Sequence, residues 1–182
     1  MMNQLFSFGN LKQDGDTAIF NMTPTTGACV SEKMGLCSYP SKCYARKAER
    51  LFPNVMRHRI HQNMFWNACS PELFIYELKK YSFTKLRFSE SGDFRHQEDV
   101  SKLIAIANLL SVPVWTYTAR RDLDFSDTPD NLIVNGSGFM LDNMFQAVPD
   151  LSGLQGHFCK GNCRICDLCL HKSGIVIYTK IH

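Results

Sequence analysis

Residues 85–118, KLRFSESGDFRHQEDVSKLIAIANLLSVPVWTYT, read as strand, helix, strand. KLRFS at 85–89 has the length and composition of a short strand, and 112–118 reads as a second. Between them, from 97 to 110, Val100, Leu103, Ile104 and Ala107 fall on one helical face. Two strands joined by a helical crossover pair in parallel, because the crossover carries the chain back to the same end of the sheet. This segment therefore predicts an α/β fold, either an open parallel sheet or, the form favoured, a partial (β/α) barrel.

The flanking sequence extends the pattern. A strand is expected at 17–22, followed by a Thr/Pro/Gly loop at 23–27. Helical patterns run from 41 to about Leu51 and from 54 to 68, and Ser70-Pro71 gives the next helix an N-cap and a proline at its first position. Further strands are expected at 131–134 and 175–178. In α/β sheets ligands collect at the carboxyl ends of the strands. Those ends are polar here, and they nominate Ser91, Asp93, Tyr117, Asn135 and Ser137 as residues that would orient a bound small molecule. The same residue types also make ordinary turns and caps.

With 182 residues, 45% hydrophobic and 20% charged, the chain has the composition of one globular domain spanning 1–182, and a collagen-like or disordered chain is excluded. No internal repeat or long linker divides it. A formal net charge of +3 does not require a nucleic-acid partner. No apolar run approaches the ~20 residues of a membrane span. Residues 1–16 lack the pattern of a secretory signal, so the expected compartment is the cytoplasm.

Eight cysteines are the anomaly. In a reducing compartment clustered thiols are metal ligands or catalytic groups more often than disulfides. Cys159, Cys163, Cys166 and Cys169 fall in CKGNCRICDLC, with three, two and two residues between them. Zinc sites favour two separated pairs of ligands, whereas a compact run suits an iron–sulfur cubane. Cys29, Cys37 and Cys43 form a second group, which suits a cluster that recruits its fourth ligand from elsewhere. The expectation is one or two [4Fe–4S] clusters, with two partitions open. Either Cys159, Cys163 and Cys166 hold a cluster with an open iron while Cys169 joins the early three, or the late four close one cluster and a non-cysteine ligand completes the other. Cys69 stands alone and reads as a buried hydrophobe.

Between 42 and 59 lie Lys42, Arg46, Lys47, Arg50, Arg57 and Arg59 against Glu49 alone, with Phe65 and Trp66 following. Such a patch binds phosphate, with the aromatics available for stacking, or is a solvated helix face beside a core pair.

Taken together these motifs resemble the bacteriophage gene product 88 family. The resemblance rests on Cys29, Cys37 and the CYA at 43–45, on Arg50 with FPNV at 52–55, and on SGDF at 91–94. It continues through Val112-Pro113-Val114, WTYT at 115–118, residues 131–137 and the C-terminal cysteine run. Ala119 stands where an Arg is expected, with Arg120 beside it. The resemblance implies a phage protein in the cytoplasm of the infected host cell, and the family's name records a gene position. The spacing of Cys159, Cys163 and Cys166 is also similar to that of radical S-adenosylmethionine enzymes, although their signature lies after the first strand of a barrel. That likeness implies S-adenosylmethionine at an open iron. The expected function is thus an iron–sulfur protein with a small-molecule substrate or a redox partner. The alternative is a zinc-stabilised protein that contacts nucleic acid through its basic helix.

Overall fold

The computed structural model describes residues 4–181. Eight strands, β1 (Ser7–Phe8), β2 (Thr17–Phe20), β3 (Lys85–Phe88), β4 (Val114–Thr118), β5 (Leu132–Ser137), β6 (Asn143–Val148), β7 (His157–Phe158) and β8 (Val176–Lys180), form one sheet in the order β1-β2-β3-β4-β5-β6-β8-β7. Only β1 pairs antiparallel with its neighbour; every other ladder is parallel. The order is linear, with β1 and β7 at its two ends and no ladder between them among the described residues.

The helices are α1 (Val30–Lys33), α2 (Tyr44–Leu51), α3 (Pro53–Ala68), α4 (Pro71–Leu78) and α5 (Gln97–Asn108). Their ends follow from the sequence. Ser70 Oγ accepts from the Leu73 amide at 3.2 Å and Pro71 opens α4, where its missing N–H costs nothing. Glu98 and Asp99 lie in the first turn of α5, where negative charge complements the helix dipole. The helical pattern expected from 41 begins at Tyr44, because Pro40–Lys42 winds as a tighter 3-10 turn.

Alternation in the strands sorts the sheet into two faces. On one, Phe20, Leu86, Phe88, Val114 and Val134 pack against Trp66, Phe74, Leu78, Leu103 and Ile106 of the helices. Phe20, Trp66, Phe74 and Phe88 meet there with ring centroids 4.9–6.2 Å apart. Each such side chain contributes about 1.5–3 kcal/mol of burial. Cys69 lies in this core, as its isolation implied. On the opposite face the register aligns Ile19, Arg87, Trp115 and Ile133 in one row and Tyr117, Asn135 and Asn143 in the next. The C-terminal cysteine run lies against this second face, with its 3-10 turn at Leu168–Leu170 packed on β4 and β5.

The strand β6 has no counterpart in the sequence expectations. It runs parallel to β5 after a connection of only residues 138–142. So short a link works because the register is staggered: Asn143, the first residue of β6, sits opposite Asn135, near the end of β5. Gly138, at φ +81°, turns the chain there, and Asp142 Oδ2 accepts from the Val134 amide at 2.8 Å. β5 itself extends through Ser137, so Asn135 and Ser137 lie within the strand instead of after it.

Candidate functional site

The early cysteines sit on the loops that leave β2 at the carboxyl edge of the sheet. Cys29 is the N-cap of α1 and Cys43 the N-cap of α2, both with extended backbone. Two buried carboxylates fix these loops. Glu49 of α2 accepts from the Thr25 and Thr26 amides, both at 2.7 Å, and from Arg59 Nη1 at 2.8 Å; Arg59 also donates to the Ala45 carbonyl. Burial alone would raise Glu49, but these hydrogen bonds outweigh it and hold its carboxyl below the usual range. Asp93, in the loop after β3, accepts from Ser31 Oγ (2.5 Å), Thr118 Oγ1 (2.6 Å) and the amides of Ala119 and Phe94 (2.8 Å each). It thereby joins α1 to the ends of β3 and β4, and its burial pushes its carboxyl up against the pull of those four donors.

Cys29 and Cys37 feel their neighbours. Burial, then Asp93, Cys37 and Cys43, push the Cys29 thiol up to about 12. Cys37 is raised by burial, with smaller contributions from Cys43 and Asp93.

The late cysteines lie across the second face of the sheet. The Cys159 amide donates to the Tyr178 carbonyl of β8 at 2.8 Å, and the Cys163 amide reaches the Lys12 carbonyl in the β1–β2 turn at 2.9 Å. The run therefore bridges the two sides of the sheet. Two buried amides hold its far end down. Asn135 Nδ2 donates to the Cys169 carbonyl at 3.2 Å, and Asn143 Nδ2 donates to the His171 carbonyl at 2.8 Å and to Asn135 Oδ1 at 3.0 Å. Burial raises Cys169 to about 11, opposed by a hydrogen bond from Tyr117 and reinforced by Cys159, Cys163 and Cys166. Cys163 is raised by burial and by Cys159 and Cys166, with Arg87 pulling the other way. The Arg87 side chain is 13% exposed, lies 5.6 Å from the Tyr117 ring and has Glu90 at 3.5 Å; its Nε has no acceptor among the described residues.

The structure thus groups Cys169 with its own run, and Cys29 with Cys37, Cys43 and Asp93. All seven thiols are half-buried and none is in a disulfide. Among the described residues no three of them, alone or with His, Asp or Glu, stand in a finished ligating group. The donor chemistry nevertheless fits a thiophilic metal. Soft sulfur donors favour zinc or iron–sulfur clusters, and clustered thiols give up their protons when they ligate one.

The rim residues have other work. Ser91 is held by Asn21 Oδ1 at its amide and donates its hydroxyl to the Thr23 carbonyl; Asp93 and Asn135 are occupied as described, and Tyr117 faces Cys169. Of the five nominated positions only Ser137 has no side-chain partner among the hydrogen bonds of the described residues. Arg120 latches the Phe94 and Arg95 carbonyls and pairs with Asp122. The basic patch is likewise partly paired, with Arg59 on Glu49 in the interior and Arg46 on Glu32 at the surface. Trp66 is buried and donates to Asp99 at 2.7 Å, which removes it as a stacking surface. Sequence reading missed Glu49 and Asn143. Glu49 carried a signal as the one acid among six cations; Asn143 carried none without its strand.

A family model described as Gene product 88 matches residues 5–142. The match takes in the early cysteines and Asp93 and stops before β6, so the C-terminal cysteine run, expected to be part of the resemblance, lies outside it. No curated protein and no solved structure matches the chain.

Proposed function

The chain belongs to the gene product 88 family, and on that footing we propose that it is a phage-encoded iron–sulfur protein with two separate cluster sites. Cys159, Cys163, Cys166 and Cys169 hold one [4Fe–4S] cluster, and Cys29, Cys37 and Cys43 hold another. The observation that carries this reading is the placement of seven unpaired, half-buried thiols in two sets, one in the loops that follow β2 and one in the run laid over the second face of the sheet. That pattern supports the partition in which the late four close one site and the early three leave theirs one protein ligand short. When bound, such clusters supply one-electron transfer or a Lewis-acidic iron.

The residues of the chain have definable parts in this reading. Asn135 and Asn143 fix the backbone of the late run, Tyr117 donates its hydroxyl toward Cys169, and Arg87 offsets negative charge beside Cys163. Glu49 and Asp93 set the early loop. The engaged rim side chains argue against the particular pose in which Ser91, Asp93 and Asn135 orient S-adenosylmethionine.

Metal and acid-labile sulfide analysis of the full chain purified without oxygen tests the proposal. Iron and sulfide in equal amounts, with a brown charge-transfer spectrum, are expected. A colourless protein with stoichiometric zinc and no sulfide would replace this reading with the zinc-stabilised one, whose nucleic-acid contact would fall on Lys47 and Arg50.

A further inference from the structure

The helix α3 turns its polar groups inward. Arg59, Gln62 and Trp66 are buried, and each is held: Arg59 on Glu49, Gln62 between Asn21 and the Leu5 carbonyl (2.9 Å), and Trp66 on Asp99. Asn63 adds a bond to the Met22 carbonyl at 2.6 Å. These bonds fix the rotation of the helix, because turning it would leave buried donors and acceptors unpaired. The outer side is consequently apolar. Phe52, Met56, Ile60 and Met64 recur every fourth residue, the spacing of one helical face. Leu51, Phe52, Ile60 and Met64 are each 42–66% exposed, and Leu51 and Phe52 project from the corner between α2 and α3. Large apolar side chains grouped in this way on a surface mark an interaction site.

The charge around them identifies the partner. Arg46 and Arg59 are paired, but Lys42, Lys47, Arg50 and Arg57 are exposed and have no carboxylate partner among the described residues. Glu49, the only acid from 42 to 68, is buried under Arg59. A second copy of the chain would set these cations against each other, which opposes self-association. Nucleic acid would answer the cations and leave Leu51, Ile60 and Met64 in water. An anionic bilayer answers both, since its headgroups take the cations and its acyl boundary takes the apolar side chains. A fluid surface also accommodates a convex helix flank, for which a protein partner needs a matching groove. We propose that the α2–α3 corner and the outer side of α3 dock the protein on a membrane surface rich in anionic phospholipid, with Leu51, Phe52, Ile60 and Met64 entering the acyl boundary and Arg50 and Arg57 at the headgroups. The contact is interfacial, because among the described residues no helix is long and apolar enough to cross a membrane. It does not depend on metal at either group of thiols.

Co-sedimentation of the full chain with vesicles tests this, using equal parts of phosphatidylglycerol and phosphatidylcholine beside phosphatidylcholine alone. Binding to the mixed vesicles is expected, with little to the neutral ones. Arg50→Gln with Arg57→Gln should weaken it roughly ten- to thirtyfold. Leu51→Ser with Phe52→Ser should weaken it by about tenfold or more, and both pairs of changes should leave the unfolding midpoint close to that of the wild type, since all four side chains are exposed. If one variant does not fold, the other still decides. No binding to the mixed vesicles, or equal binding to the neutral ones, overturns the proposal. Binding that survives Leu51→Ser with Phe52→Ser overturns the apolar insertion. A short DNA duplex, or an acidic amphipathic peptide, that binds this face more tightly than the mixed vesicles would overturn the membrane as its partner.

Discussion

The two cysteine groups are built on opposite plans. Of the early three, Cys29 and Cys43 sit on helix N-caps and Cys37 in the loop between them, at the carboxyl edge, in loops pinned by two carboxylates, Glu49 and Asp93. The late four lie flat against the sheet, pinned by neutral amides, Asn135 and Asn143, and face a hydroxyl and a cation from the strands beneath. In the proposed reading, the hydroxyl and the cation beneath the late four would tune a bound cluster. The family match divides along the same line, covering the first site and not the second.

The sharpest way to separate the two sites is Asp93→Ala. It leaves four donors without an acceptor, each worth about 1–3 kcal/mol when buried, so a loss of several kcal/mol in denaturant unfolding is expected, a large fraction of a typical domain's stability. Cluster content should fall at the early site first. Asn143→Ala comes next. It frees the His171 carbonyl and the Ser173 amide from the sheet, and about 2–4 kcal/mol of stability should go, together with the iron of the late site, while the early site keeps its own. Loss of both clusters in parallel would break the comparison.

Tyr117→Phe should act more gently and on one side only. A hydrogen bond to a cluster sulfur is worth about 1 kcal/mol, so its removal should lower the potential of the late cluster by about 40 mV, read by redox titration, with no change at the early one. The smallest expected effect on the thiol sites comes from Asp99. Burial would raise Asp99, but hydrogen bonds from Arg95 and Trp66 prevail and hold it below the usual range. A carboxylate depressed in the folded state contributes stability above its unfolded pKa, and that contribution is lost as pH falls through the depressed folded value. Acid unfolding of the wild type should therefore steepen below pH ~4, and Asp99→Asn should flatten that limb, with both thiol sites behaving as in the wild type.

Much of this fold is legible from hydrophobic period. The β3–α5–β4 unit lies where alternation and helical spacing predict it, within two residues at each end, and its parallel pairing follows from the crossover. The strand β6 was not legible, because it follows β5 without a helix and a parallel partner so near in sequence depends on a staggered register. The same gap hid the asparagine pair. Asn135 after a strand looks like a rim residue, whereas Asn135 inside β5, opposite Asn143, is an internal anchor. Cysteine spacing marked both groups of thiols, but spacing cannot say which sulfurs are neighbours. That depends on the loops being fixed by Glu49 and Asp93 at one place and by the two asparagines at another.

Native mass spectrometry of the anaerobically isolated full chain, beside Cys163→Ser, addresses the two-site account most directly. The account predicts two cubane increments on the wild-type chain, roughly eight iron and eight sulfide in all, and retention of the early cluster in the variant. Bound zinc without sulfide, or a single cluster that Cys163→Ser abolishes together with every other iron, would contradict it.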